Sequence, residues 1–218
     1  MKQFAVIGIG NFGYYLARHL YKKGHDVIAI DHSKKLIQKI KDDVTQAVVA
    51  DATDPEALRA LGLDEMDYVV VCIGSILGNS ILTTQNLIEL GARNIIAKAI
   101  TEPHGRILER LGVNEIFFPE KDLAISLAEK LNSPNMIDYL PFIEGFSITQ
   151  LEVEEKLSGK SLKDLNLNNR YGVQVVTIKD SLTSENKIPT GDFILKSKDV
   201  MILFGPNDAL KKVEKSQI

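Results

Sequence analysis

The chain has one cysteine, Cys72, among its 218 residues. That excludes an intramolecular disulfide framework and fits a reducing compartment. It has no basic excess: 26 Lys and Arg stand against 29 Asp and Glu, a formal net charge of −3. A face built for nucleic acid normally needs the opposite balance, so nucleic acid is not an expected partner. No stretch approaches the roughly 20 uninterrupted apolar residues that cross a bilayer, so no direct membrane insertion is expected. The leading run MKQFAVIGIGNFG is too short and too glycine-rich for a signal peptide and reads as a strand entering a turn. His19, His25, His32 and His104 are scattered without the spacing of a metal site. Long repeats and low-complexity tracts are also missing. With 44% hydrophobic and 25% charged residues, the expectation is a soluble cytoplasmic protein with one sizeable core, or a main domain and a small one.

Short β-rich runs alternate with helical patterns over the first two-thirds. Phe4-Ala5-Val6-Ile7 is a continuous apolar strand, of the kind buried on both faces in a parallel sheet. Phe12, Leu16, Ala17 and Leu20 recur at helical spacing, and Gly24 stands where a left-handed cap closes a helix. Val27–Ile30, Ala47–Ala50, Tyr68–Cys72, Asn94–Lys98 and Glu115–Phe118 read as five further strands. Helices are expected from Ser33 to about Asp42, from Asp54-Pro55-Glu56, over Ile76–Leu90 and over Pro103–Leu111. Two β-α-β-α-β halves with right-handed crossovers imply an α/β fold: a Rossmann-like, doubly wound, parallel six-stranded sheet. A helix over about Glu120–Asn132 then carries Leu123, Ile125, Leu127, Ala128 and Leu131 around much of its surface. A homodimer partner would cover it; packing on its own domain is the alternative. After a Pro/Gly-bearing link near Pro141–Gly145, strands at Phe146–Val153, Val173–Ile178 and Val200–Gly205 suggest a small α+β module. The expected division is 1–140 and 141–218.

Gly8-Ile9-Gly10-Asn11-Phe12-Gly13 fits G-x-G-x-x-G directly between a strand and a helix, the context that gives the pattern meaning. Gly8 permits the tight turn, Gly10 lets a pyrophosphate approach the backbone, and Gly13 lets the helix pack closely. Helix N-terminal amides and the helix dipole then favour phosphate. Asp31 ends the second strand 18 positions beyond Gly13, near the spacing of about 20 expected of an acid that reads ribose hydroxyls. Its charge would repel a 2′-phosphate, favouring NAD or an adenosine phosphate over NADP. Asp51-Ala52-Thr53-Asp54 follows the third strand, where an adenine would lie; Asp51 could accept from its amino group, while Asp54 caps the next helix. Ile73-Gly74-Ser75 sits at the crevice mouth, with Gly74 either allowing close backbone approach or making a simple turn. Lys98 could reach terminal phosphates or stand in solvent.

Catalytic groups are missing from this pattern. A dehydrogenase needs a proton-transfer group near the substrate and usually a sizeable domain to enclose it. No Ser-Tyr-Lys constellation or histidine–acid pair stands out, and Cys72, inside an apolar strand, reads as core. A binding or sensing role fits better. An NAD-dependent oxidoreductase with a small second domain and a stand-alone nucleotide-binding scaffold are the alternatives.

KQFAVIGIGNFG, Asp31, the DATD segment, LTTQNLIELG, the PEKD at Pro119–Asp122 and the trailing small module together carry a resemblance. The chain resembles the cytosolic regulatory subunits of Ktr/Trk potassium transport systems, built from an RCK (regulator of potassium conductance) domain, over nearly its whole length. The resemblance implies an RCK N-terminal domain with a crossover helix, an RCK C-terminal module and no enzymatic activity. It also implies dimers through the crossover helix and an octameric ring on the inner face of the plasma membrane, under a separate membrane-embedded potassium channel subunit. ATP, ADP, AMP or NAD(H) would bind at Gly8, Gly10, Asn11, Phe12, Gly13, Asp31, Asp51, Ala52, Thr53, Ile73, Gly74 and Lys98. Some relatives hold a divalent cation between subunits through the glutamate matching Glu120, and some bind cyclic di-AMP in the C-terminal module. One departure stands out: ATP-sensing relatives carry arginine where this chain has Asn11. Asparagine supplies no charge to a γ-phosphate, and charge-assisted bonds are roughly twice as strong as neutral ones.

Overall fold

The computed structural model describes residues 1–74, 76–132, 136–143 and 145–216. Two compact units divide the chain, Met1–Glu120 and Lys121–Ile218.

In the first unit, strands β1 (Gln3–Ile7), β2 (Asp26–Asp31), β3 (Gln46–Val49), β4 (Tyr68–Val71), β5 (Ile95–Lys98) and β6 (Glu115–Phe117) alternate with helices. The helices are α1 (Asn11–Lys22), α2 (Lys34–Ile40), α3 (Pro55–Ala60), α4 (Leu77–Leu90) and α5 (Glu102–Leu111). All strand pairs are parallel, in the order β3-β2-β1-β4-β5-β6. This is the doubly wound order, whose direction of winding reverses between β1 and β4. Successive β1 residues serve opposite cores: Ala5 and Ile7 pack with Leu58, Leu87 and Leu108, while Val6 packs with Ala17, Val27 and Ile37. Burial on both faces is why the strand reads as an unbroken apolar run.

Two of the three expected caps, Asp54 and Gly24, are in place. Asp54 accepts from Glu56 N with Pro55 opening α3, and Gly24 follows α1 at φ +84°. Ser33 precedes α2 but its side chain makes no cap bond; the acceptor there is Asp31, which takes Ser33 N at 2.8 Å.

α6 (Pro119–Asn132) starts at the end of the first unit and runs on into the second, which also contains β7 (Met136–Ile143), β8 (Phe146–Glu152), α7 (Leu162–Leu165), α8 (Leu167–Tyr171), β9 (Gln174–Lys179), β10 (Asn186–Lys187), β11 (Val200–Pro206) and α9 (Asn207–Ser216). Its sheet is antiparallel, ordered β10-β9-β11-β8-β7, over a core that includes Leu151, Ile178, Leu195, Met201 and Leu203. Of the stretch expected as a link at Pro141–Gly145, residues 141–143 end β7 and Gly145 precedes β8, while Glu144 lies outside the described residues. Among the described residues β7 is an edge strand, paired only with β8, and such a position tolerates a proline that a central strand would not. Along α6, Leu123 and Leu131 are 71% and 77% exposed, and Ile125 and Leu127 are exposed as well.

After β9, the buried Asp180 accepts from Leu182 N (2.9 Å), Thr183 N (3.1 Å) and Lys196 Nζ (3.1 Å). The backbone bonds from Thr183 and Leu182, then the lysine, hold its carboxyl well below the ordinary 3.8. A folded pKa below the unfolded one gives stability that is complete above the unfolded value and lost as pH falls through the folded one. Asp180→Asn is therefore expected to lower the melting temperature at neutral pH and to flatten its decline below about pH 4. A melting temperature that falls with pH in parallel with wild type would contradict this role.

Candidate functional site

β1 ends at Ile7, and the chain turns through Gly8 into α1 at the point where the sheet reverses its winding. The three glycines do three different jobs. Gly8 has φ +93°, and a Cβ there would lie 2.9 Å from Ile73 N. At Gly13 a Cβ would lie 2.0 Å from Gly8 O, so α1 reaches the turn only with a hydrogen at that position. Gly10 has open space in place of a side chain, with nothing within 4 Å. N–H groups in a helix's first turn have no intrahelical partner. In α1 no side chain caps that end and its first turn carries no acid, whereas α3 and α5 are capped by Asp54 and Thr101 and begin with Glu56 and Glu102.

Asp31 braces the turn from the next strand. Its Oδ2 accepts from Ile9 N at 2.7 Å and its Oδ1 from Ser33 N at 2.8 Å, with only 8% of the residue exposed. A carboxylate has about four lone-pair sites, so acceptor capacity remains for a ligand hydroxyl. His32 Nδ1 lies 3.4 Å from Oδ1. After β3, Asp51 Oδ1 accepts from Thr53 Oγ1 (2.7 Å) and Thr53 N (2.9 Å), the hydroxyl contributing most, and these bonds lower its carboxyl pKa from the ordinary value. Thr53 O in turn accepts from Asn86 Nδ2 at 2.9 Å.

On the far side, Lys98 is neither solvated nor unpaired. It is 8% exposed, and its Nζ donates to Glu120 Oε1 at 2.5 Å. That bond holds the Glu120 carboxyl below its usual value. Gly74 makes room for this lysine: a Cβ there would stand 3.1 Å from Nζ. The turn after β5 is held by His104, whose Nδ1 accepts from Ile100 N at 3.3 Å.

These elements enclose one cavity of about 660 Å³ at the carboxyl ends of the strands, where open α/β sheets take ligands. All the residues expected to contact a ligand line it except Gly13, which is the packing contact behind the turn. His32, Leu36, Ile76 and Asn79 line it too and escape the sequence reading. Their signal was positional: His32, Leu36 and Ile76 lie within five residues of a strand end already placed at the crevice, and Asn79 stands in the first turn of the helix that follows β4. Cys72, read as core, is both buried and a wall of the cavity. Burial pushes its thiol up to about 12, against the pull of Lys98, which leaves it unreactive.

A divalent cation at Glu120 finds no ready set of ligands in one chain. The carboxylate already holds an ammonium, and no group of three or more His, Cys, Asp or Glu able to hold a metal occurs among the described residues. No helix among the described residues is long and apolar enough to cross a membrane.

Family comparisons agree with this architecture. The TrkA-N domain model matches residues 4–119 and the TrkA-C domain model residues 148–217. The Ktr system potassium uptake protein A of Bacillus subtilis is 35% identical over 98% of this chain and 96% of its own length. Its namesake from Vibrio alginolyticus is 34% identical over 99% and 97%. Among solved structures, the GsuK channel bound to NAD matches the whole fold (TM-score 0.55, 22% identity, 100% of this chain and 38% of that one). The AMP-bound Kef C-terminal domain of Shewanella denitrificans matches at TM-score 0.52 and 25% identity, over 60% of this chain and 80% of that one. The NAD(P)-binding domain of an exopolyphosphatase-related protein from Archaeoglobus fulgidus matches at TM-score 0.54 and 25% identity, over 61% and 98%. With both domain models matched and relatedness along its full length, the chain belongs to the TrkA-N/TrkA-C family of Ktr and Trk potassium uptake proteins.

Proposed function

We propose that this chain is the ligand-sensing, non-catalytic subunit of a potassium uptake system, acting from the cytoplasmic side on a separate membrane-embedded channel subunit. The cavity at the sheet's winding reversal carries the reading. An uncapped helix N-terminus, an open Gly10 and a strand-end carboxylate stand there together, the arrangement that takes an adenine nucleotide or dinucleotide. Gly8, Gly10, Asn11 and Phe12 would present amides to phosphate, with Gly13 setting the helix against the turn. Asp31 would accept from ribose hydroxyls, and Asp51, Ala52 and Thr53 would border the adenine. Ile73, Gly74 and Lys98 would close the opposite wall. The AMP-bound Kef domain and the NAD(P)-binding domain, both at 25% identity over this unit, support an adenine ligand.

Control follows from differential affinity. A ligand that fits one arrangement of the assembled subunits better than another shifts the population between them, whereas equal affinity would shift nothing. The exposed Leu123, Ile125, Leu127 and Leu131 on α6 support a dimer contact through that helix, with dimers closing into a ring, residues 1–140 binding ligand and 141–218 forming the C-terminal module. Names of the full-length relatives favour this role over an oxidoreductase.

Calorimetric titration of the purified protein with ATP, ADP, AMP, NAD+ and NADH tests the sensing half. Saturable binding of at least one of them, weakened by Gly10→Ala, is expected. Absence of binding by all five would overturn the assignment.

A further inference from the structure

We infer that the outer layer formed by α1 and α2 is a peripheral docking face for anionic lipid headgroups, on which the chain meets the cytoplasmic leaflet. The inference goes beyond the regulatory reading above and rests on it for placing the chain near that leaflet. Charge is divided unevenly along the first unit. Residues 11–43 carry seven Lys or Arg against four Asp, whereas residues 46–117 carry five against ten Asp or Glu. The fold sets the helices of the two segments on opposite sides of the sheet. Ala17 of α1 and Ile37 of α2 share one core, and Leu58, Leu87 and Leu108 of α3, α4 and α5 share the other. In α1, Gly13 and Ala17 turn inward, so Tyr15, Arg18, His19 and Lys22 line the outer side at i, i+3, i+4 and i+7. In α2, Ile37 and Ile40 turn inward, leaving Lys35 and Lys39 outward one turn apart. Lys39 Nζ stands 4.4 Å from the centre of the Tyr14 ring, and Arg18 Nε 3.2 Å from Asp43 Oδ2. These contacts join both helices into one surface. Lys22, Lys23, Lys34, Lys35 and Lys41 are exposed and have no acid partner among the described residues. Tyr15, 68% exposed, adds an aromatic ring of the kind that seats at headgroup level. Short cytoplasmic loops of a membrane subunit carry excess Lys and Arg, so this face repels them. Anionic leaflets attract such lysine clusters, each cation near the surface strengthening binding about fivefold.

The test uses the full chain and vesicles that hold no channel subunit. Co-sedimentation is measured with phosphatidylcholine alone and with about one-third phosphatidylglycerol added, at about 0.1 M and about 1 M salt. Wild type should bind the anionic vesicles at least about thirtyfold more tightly than the neutral ones at the lower salt, and lose that preference at the higher. A variant combining Lys22→Gln, Lys23→Gln, Lys35→Gln and Lys41→Gln should keep its melting temperature and bind anionic vesicles at least about tenfold more weakly. A control combining Lys160→Gln, Lys163→Gln, Lys179→Gln and Lys212→Gln removes the same charge from exposed positions of the second unit. It should bind within about threefold of wild type. Failure of wild type to bind anionic vesicles at the lower salt would overturn the inference. So would equal weakening by both variants, which would report net charge and not this face. Tighter capture by soluble polyglutamate than by vesicles would assign the face to an acidic protein segment and overturn the lipid assignment. None of these outcomes touches the regulatory reading, which is decided separately by potassium flux through the partner.

Discussion

Gly13→Ala is expected to destabilise the first unit by about 3 kcal/mol or more, at the upper end for overpacking a core. The added Cβ would lie 2.0 Å from Gly8 O. Backbone on both sides fixes that contact, so relief requires α1 to move off the sheet. Gly10→Ala makes the sharp contrast. Its Cβ meets nothing within 4 Å and its φ of −64° is open to any residue, so stability should change by no more than about 0.5 kcal/mol. Ligand affinity should nevertheless fall at least about tenfold, because the space that Cβ fills belongs to the cavity. Urea denaturation followed by hydrogen exchange at β1 and α1 amides separates the two effects. Equal stability of Gly13→Ala and wild type would refute the packing argument.

Asp31→Ala should cost about 3 kcal/mol, because it strands two backbone donors that a charged acceptor now serves. Ile9 N and Ser33 N are held at 2.7 and 2.8 Å in a residue only 8% exposed. Asp31→Asn should cost less, since an amide oxygen can still accept from one of the two. Both variants should narrow the preference for NAD+ over NADP+, as the charge that opposes a 2′-phosphate is gone. Chemical denaturation and paired titrations with the two dinucleotides measure these outcomes. A variant that loses no stability would mean the carboxylate does not brace the turn, whatever its part in binding.

Much of the first unit was legible because its signals are local. β1 is an apolar run that both cores demand, and the glycine turn sits directly after it. Strand ends then point to Asp31, Asp51, Gly74 and Lys98 through the general rule that such sheets bind at their carboxyl edge. What escaped the sequence is what depends on distance along the chain. The Lys98–Glu120 bond joins residues 22 positions apart, and no pattern in the sequence announces that this lysine is compensated. Asp31 was read as a ligand contact, yet its bonds to Ile9 and Ser33 make it a structural brace as well. Pro141 hid β7, because proline marks a break unless the strand is known to lie at an edge. In each case the missing information was the identity of a tertiary neighbour.

The regulatory claim meets its most direct test in potassium flux. Proteoliposomes carrying the potassium-translocating membrane subunit of the same system would be assayed with and without this chain, across a titration of the adenine ligand it binds best. Flux should change with ligand in the presence of the chain, at the concentrations that saturate its cavity, and Gly10→Ala should shift this response to higher ligand concentrations. Flux indifferent to ligand whenever the chain is bound to its partner would contradict it.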